Sequence, residues 1–140
     1  MSRSHDSTTP VLALDLADYL LIAEAILDID ADHLKRTANL ELVESALAAP
    51  LAGFGDHELH PEAATNAAIL CSRLVRNHPL PDGNKRIAYI CMREFLARND
   101  LRWQRPSDDE AAEMVEGLAS RESSEQEFVA WTARHITQRP

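Results

Sequence analysis

Between Glu62 and Asn99 the chain carries two stretches of apolar residues at helical spacing, joined by the short run His78-Pro79-Leu80-Pro81-Asp82-Gly83-Asn84. Residues 62–77 set Ala63, Ala67, Leu70, Cys71 and Leu74 along one face. Lys85 to Asn99 distributes Ile87, Ala88, Ile90, Cys91, Met92, Phe95 and Leu96 over most of its circumference. A helix that is apolar on most sides must be surrounded, so the second stretch is predicted to lie at the centre of a helical bundle. The chain has only 4 glycines and 5% aromatic residues against abundant Ala, Leu and Glu, which favours helix over sheet. An all-α fold follows, and 140 residues suit a single core.

The flanks fit the same reading. Residues 1–10 are polar, end in Pro10 and are expected to form a disordered tail, leaving 11–140 as one domain. From Leu12 to about Asp28, the residues Leu12, Leu16, Leu20, Ala23 and Leu27 recur at helical spacing. Residues 40–49 repeat the pattern, and Pro50 is expected to stop that helix. The run from Pro50 to Pro61 holds half of the glycines and is read as a functional or mobile loop rather than a plain connector. Ser107-Asp108-Asp109-Glu110 has the form of a capping box, predicting a helix to about Ser120. A last helix is expected over about Glu125 to Thr137, with Phe128, Trp131 and Thr132 or His135 facing inward.

Composition removes several classes of function. A formal charge of −9 argues against direct nucleic-acid binding, which needs a basic surface to neutralise phosphates. No segment approaches the roughly 20 apolar residues of a membrane span, and the start has no apolar signal core, so a cytoplasmic protein is expected. Cys71 and Cys91 fall inside helical patterns and read as buried thiols. His57 and His60 have a spacing seen in metal sites, but without a second pair they read as exposed loop residues. Trp103 and Trp131 read as packing residues.

Chemistry concentrates where the two apolar helices meet. Gly83 permits a positive φ, and the amides of Gly83, Asn84, Lys85 and Arg86 fall at a helix N-terminus without intrahelical partners. Such a terminus binds anions, and Lys85 and Arg86 add full charges to it. Two cations there oppose the helix dipole at a cost of roughly 0.3–1 kcal/mol each, which points to a ligand. Asp82 offers a hard oxygen ligand for Mg²⁺ beside the phosphates. His78, with an ordinary pKa of about 6.5, suits a general base on an attacking hydroxyl. Arg76 could add a donor from the end of the preceding helix. The spacing is not that of a Walker A loop, because the four-residue spacer and the hydroxyl after Lys are missing.

The order His78-x-x-x-Asp82-Gly83-Asn84-Lys85-Arg86 resembles the signature of the Fic/Doc family, and Lys85 resembles its Doc (death-on-curing) branch. The likeness extends to Leu42 through Pro50, to Phe54-Gly55 with Glu58 through Pro61, and to Arg76 through Pro79. It implies a compact helical bundle with a loop or short β-hairpin flap near residues 51–60. There Ala52, Gly53, Phe54 and Gly55 would clamp an extended target segment by strand addition. It implies catalytic roles for His78, Asp82, Asn84, Lys85 and Arg86: His78 as base, Asp82 as Mg²⁺ ligand, Gly83 and Asn84 as anion nest, Arg86 on phosphate. Arg76 would assist phosphate binding, and the cofactors would be ATP and Mg²⁺. Family members that attach AMP usually carry glycine at the position of Lys85. In the Doc branch the lysine accompanies a reversed nucleotide and transfer of the γ-phosphate.

The resemblance therefore implies a toxin-type protein kinase. It would phosphorylate a Ser or Thr hydroxyl of a translation factor, with elongation factor Tu suggested, and so inhibit translation. AMP transfer is the alternative, and a catalytically silent helical interaction module a second one. Leu80 stands where the family has a phenylalanine that anchors the loop, and Ile87 where a threonine is common. Ala112 through Gly117 contains the Glu-Gly of the family's inhibitory helix but not its hydroxyl residue, so a separate cognate antitoxin is the expected inhibitor.

Overall fold

The computed structural model describes residues 11–52 and 62–138. Seven α-helices and one two-stranded sheet are found among them. The expected N-terminal tail, the flap residues Gly53, Phe54 and Gly55, and His57 and His60 lie outside the described residues. Ala52 closes a 3-10 turn over Ala49–Ala52, so Pro50 ends the α-helix before it but the chain winds on through one tighter turn.

The first helix, α1, spans Leu16–Leu27 rather than starting at Leu12. Asp15 is the stronger stop: its carboxylate accepts from the Asp18 amide at 2.9 Å, and the Asp18 carboxylate accepts from the Asp15 amide at 2.9 Å. Leu12 sits on extended chain and is 53% exposed, while Leu14 is in the core. Helix α2, Ala31–Thr37, was not legible in the periodicity because it buries only Leu34. Helix α3 spans Leu40–Ala48 and is capped by Asn39.

Helix α4, Glu62–Asn77, takes the central place expected of the next helix. It is buried without a break from Ala64 to Cys71 and on to Ser72, and packs against α3, the 3-10 turn and three later helices. Its alanines let neighbours approach from several sides, which a stripe of large residues would prevent. Helix α5, Asn84–Arg98, buries Ile87, Ala88, Cys91, Met92, Phe95 and Leu96 but leaves Ile90 partly exposed. Helices α6, Asp108–Ser120, and α7, Glu125–Arg134, complete the bundle. Arg73 forks onto Glu125 at 2.9 and 3.3 Å, fixing α7 to α4.

Two local expectations change at this end. Ser107 does cap α6, accepting from the Glu110 amide at 3.1 Å. The Glu110 carboxylate instead accepts from Trp131 Nε1 at 2.8 Å, so a tertiary partner takes the side chain a capping box would have used. The last helix ends at Arg134 instead of Thr137, and Ile136–Gln138 pairs antiparallel with Leu101–Trp103 as β2 with β1. Strands of three residues are too short to show alternation, so the sequence pattern does not reveal them. Phe128, Trp131 and Thr132 face inward as expected. Trp103 meets Tyr89 and Trp131 edge-on, with centroids 6.1 and 5.5 Å apart, as a packing residue. Cys71 and Cys91 are free, buried thiols. Burial raises the pKa of both, that of Cys91 to about 12.

Candidate active site at the α4–α5 connection

Helix α4 stops at Asn77 because the chain then turns sharply: His78 adopts φ 51°, and Pro79 and Pro81 cannot extend a helix. The connection is held at both edges. The Asn39 amide donates to Pro79 O at 2.8 Å, and Asn77 Nδ2 donates to Leu42 O at 3.0 Å, tying the loop to the start of α3. Leu80 is 2% exposed and anchors the loop in the core, the task that the resemblance assigns to a phenylalanine ring.

Asn84 is the internal brace. Its Oδ1 accepts from the Leu80 amide at 3.0 Å and its Nδ2 donates to Leu80 O at 2.7 Å, so both polar groups of a buried residue are satisfied by one side chain. These two bonds fix the amide's orientation and leave an Nδ2 hydrogen facing His78 Nδ1 at 3.2 Å. His78 Nδ1 therefore accepts, and in the neutral ring the proton sits on Nε2. Gly83 is required twice over: its φ is 84°, and a Cβ there would lie 2.7 Å from Leu27 Cδ2. As the N-cap of α5 it offers no side-chain cap, so the first amides of that helix keep their donors for something else.

Around this turn lies a cavity of about 390 Å³ lined by His78, Asp82, Gly83, Asn84, Lys85 and Arg86, with Val75 and Ala119 behind them. Five expected catalytic residues thus share one wall. His78, Asp82, Lys85 and Arg86 are exposed to it, whereas the Asn84 side chain is turned inward as a brace. Arg76 is not brought to this wall. Its Nη2 donates to Ser123 O at 3.0 Å and its Nε to Leu118 O at 3.4 Å, which commits the guanidinium to the turn between α6 and α7.

Lys85 Nζ meets Glu116 Oε1 at 2.6 Å, with both side chains more than half exposed. An exposed pair of this kind is worth about 0–1 kcal/mol, so a phosphate can take the lysine over. Glu116 had no local sequence signal as a partner of Lys85, since the contact joins residues on different helices. Its neighbour Gly117 has a packing reason: a Cβ there would lie 2.5 Å from Ser123 Oγ. Among the described residues no three His, Cys, Asp or Glu side chains converge on a metal position. A divalent cation here would be held by Asp82 together with oxygens of a bound ligand, which suits Mg²⁺. No described helix is long and apolar enough to cross a membrane.

Comparison with known proteins places the chain in a family. A protein of Mycolicibacterium smegmatis named Toxin Doc is 34% identical over 82 residues, which are 58% of this chain and 63% of that protein. The match reaches less than two thirds of the relative's length. Residues 13–96, which include α4, the braced connection and most of α5, match the Fic/DOC family, and the chain belongs to it.

Proposed function

We propose that this chain is a toxin-type protein kinase that moves the γ-phosphate of ATP onto a Ser or Thr hydroxyl of a translation factor. Elongation factor Tu is the target that the family resemblance suggests, and a cognate antitoxin the partner. The observation that carries the reading is the uncapped start of α5, where free amides, Lys85 and Arg86 face one cavity with His78 and Asp82 in a chain of charge −9. Such a surface holds phosphates locally while the rest of the molecule repels them. Similarity to a protein named Toxin Doc supports the toxin assignment.

In this mechanism the α5 amides, Lys85 and Arg86 hold the phosphates in place. Mg²⁺, held by Asp82 and phosphate oxygens, would neutralise charge on the phosphates. His78 Nε2 takes the proton of the target hydroxyl as its oxygen bonds to the γ-phosphorus. The bond from that phosphorus to the bridging oxygen breaks, and its electron pair leaves on ADP. A base at Nε2 requires the proton on Nδ1, so the Asn84 contact at 3.2 Å must open as the target enters. Incubating the protein and elongation factor Tu with γ-labelled or α-labelled ATP tests the reading. Label from the γ position is expected on the target; label from the α position would establish AMP transfer and sink the kinase.

A further inference from the structure

A groove of about 480 Å³ runs between α1, α5 and β1, and among the described residues it shares no wall with the His78 cavity. Ile22 and Ile90 make it apolar, Arg93 and Arg102 stand beside them, and all three residues of β1 line it. Side chains alternate along a strand, so a groove that touches Leu101, Arg102 and Trp103 alike borders the strand's edge rather than one face. The other edge belongs to β2. The Gln104 amide donates to His135 O, in the register that pairs Arg102 with Thr137. In an antiparallel ladder, residues two apart point their N–H and C=O the same way. Arg102 and Gln104 are therefore turned to β2, and Leu101 and Trp103 away from it. Among the described residues, no hydrogen bond is found at the main-chain groups that Leu101 and Trp103 turn outward.

Charge selects what can pair there. In a chain of charge −9, neither Arg93 nor Arg102 meets a carboxylate at ion-pair distance among the described residues, and Glu94 beside them is held by Arg98. Arg93 lies 5.9 Å from the centroid of the Tyr89 ring, which the bond from Trp103 Nε1 to its hydroxyl fixes in place. Arg102 is exposed, whereas Leu101 and Trp103 on either side of it turn towards the bundle.

We infer that this edge docks an extended segment of a partner protein, added to β1 as a third strand and carrying an acidic residue between two apolar ones. The outward N–H and C=O groups of Leu101 and Trp103 bind its main chain. Its apolar side chains enter the groove over Ile22 and Ile90. The carboxylate between them falls on the outer face, beside Arg102, as a cross-strand ion pair. Arg93 at the groove wall adds to the attraction, and a basic segment is turned away. The docking is independent of the reaction at His78.

The test is a titration of the whole isotope-labelled protein with a capped peptide of core Val-Glu-Val, followed by amide NMR. The Leu101 and Trp103 amides are expected to move more than those of Arg102 and Gln104, which already face β2. Lysine in place of the peptide's glutamate should weaken binding by about fivefold. Arg102→Glu, at an exposed position, should keep the fold and reverse that preference. A fully N-methylated peptide, which has no main-chain donors, should not bind. Equal affinity for the Glu and Lys peptides, or binding that survives N-methylation, would overturn the inference. Shifts confined to His78–Arg86 would also overturn it, since the peptide would then be a ligand of the candidate active site. So would a stable dimer whose β1 amides ignore the peptide, because a second copy of the chain would then cover the edge.

Discussion

The two ends of α5 are built on opposite principles. At its C-terminal end Arg98 lies where a cation favours the helix dipole. Its Nη1 and Nη2 fork onto Asp18 at 2.9 and 3.0 Å, and its Nε donates to Glu94 at 2.9 Å. Beside it the Asn99 side chain accepts from the Leu12 amide and donates to Leu12 O and Phe95 O. At the N-terminal end Gly83 supplies no cap, and Lys85 and Arg86 stand against the dipole with solvent around them. One end has its charges and carbonyls satisfied within the fold. The other has no side-chain cap and only an exposed Lys85–Glu116 pair, which suits the anion site proposed there.

If that contrast is right, substitutions at the two ends should separate activity from stability. The largest effect belongs to His78→Ala, which should lower phosphotransfer by about 100- to 10,000-fold and leave the urea midpoint near wild type, since the ring is exposed. An unchanged transfer rate would remove the site from this end. Asn84→Ala strips both polar groups of Leu80 of their partner and should cost about 1–3 kcal/mol in urea unfolding, with activity falling too. Arg98→Ala at the other end should cost about 1–2 kcal/mol and spare the rate constant of transfer in the folded protein.

Two smaller effects sharpen the comparison. Arg98 holds the Asp18 carboxyl below its ordinary value of 3.8, helped by the Asp15 amide. A carboxyl depressed in the folded state contributes stability that is complete above about pH 4 and drains away as pH falls through its folded value. The stability deficit of Asp18→Asn at pH 7 should therefore shrink towards zero in acid unfolding measured at successively lower pH. Smallest in size but opposite in sign, Arg86→Glu should raise thermal stability, by roughly 0.3–1 kcal/mol for each charge effect at the dipole, while abolishing transfer. A destabilised Arg86→Glu would mean that the cation has a structural partner after all.

The N-terminal end of α5 was legible because its information is local. Gly83, the cations and the prolines lie within one short run, and helix signals flank it. The bounds of α4 and the inward turn of Phe128 and Trp131 followed from periodicity for the same reason. What escaped was decided by distant partners. Leu12 fits a helical stripe, yet Asn99 holds its backbone extended. Glu110 fits a capping box, yet Trp131 claims its carboxylate. Arg76 stands beside the motif, yet two carbonyls of the α6–α7 turn bind it. The Lys85–Glu116 pair exists only once α6 lies against α5.

The buried thiols of Cys71 and Cys91 give the molecule a clock for its own opening. Each sits on one of the two helices that flank the site, fully enclosed and with its thiolate disfavoured at neutral pH. A thiol reagent can react only when α4 or α5 parts from its neighbours. The rate of modification under native conditions thus reports how often the helix pair separates, without any label having to be engineered in. If nucleotide binds at the start of α5, as proposed, that rate should slow when ATP is added.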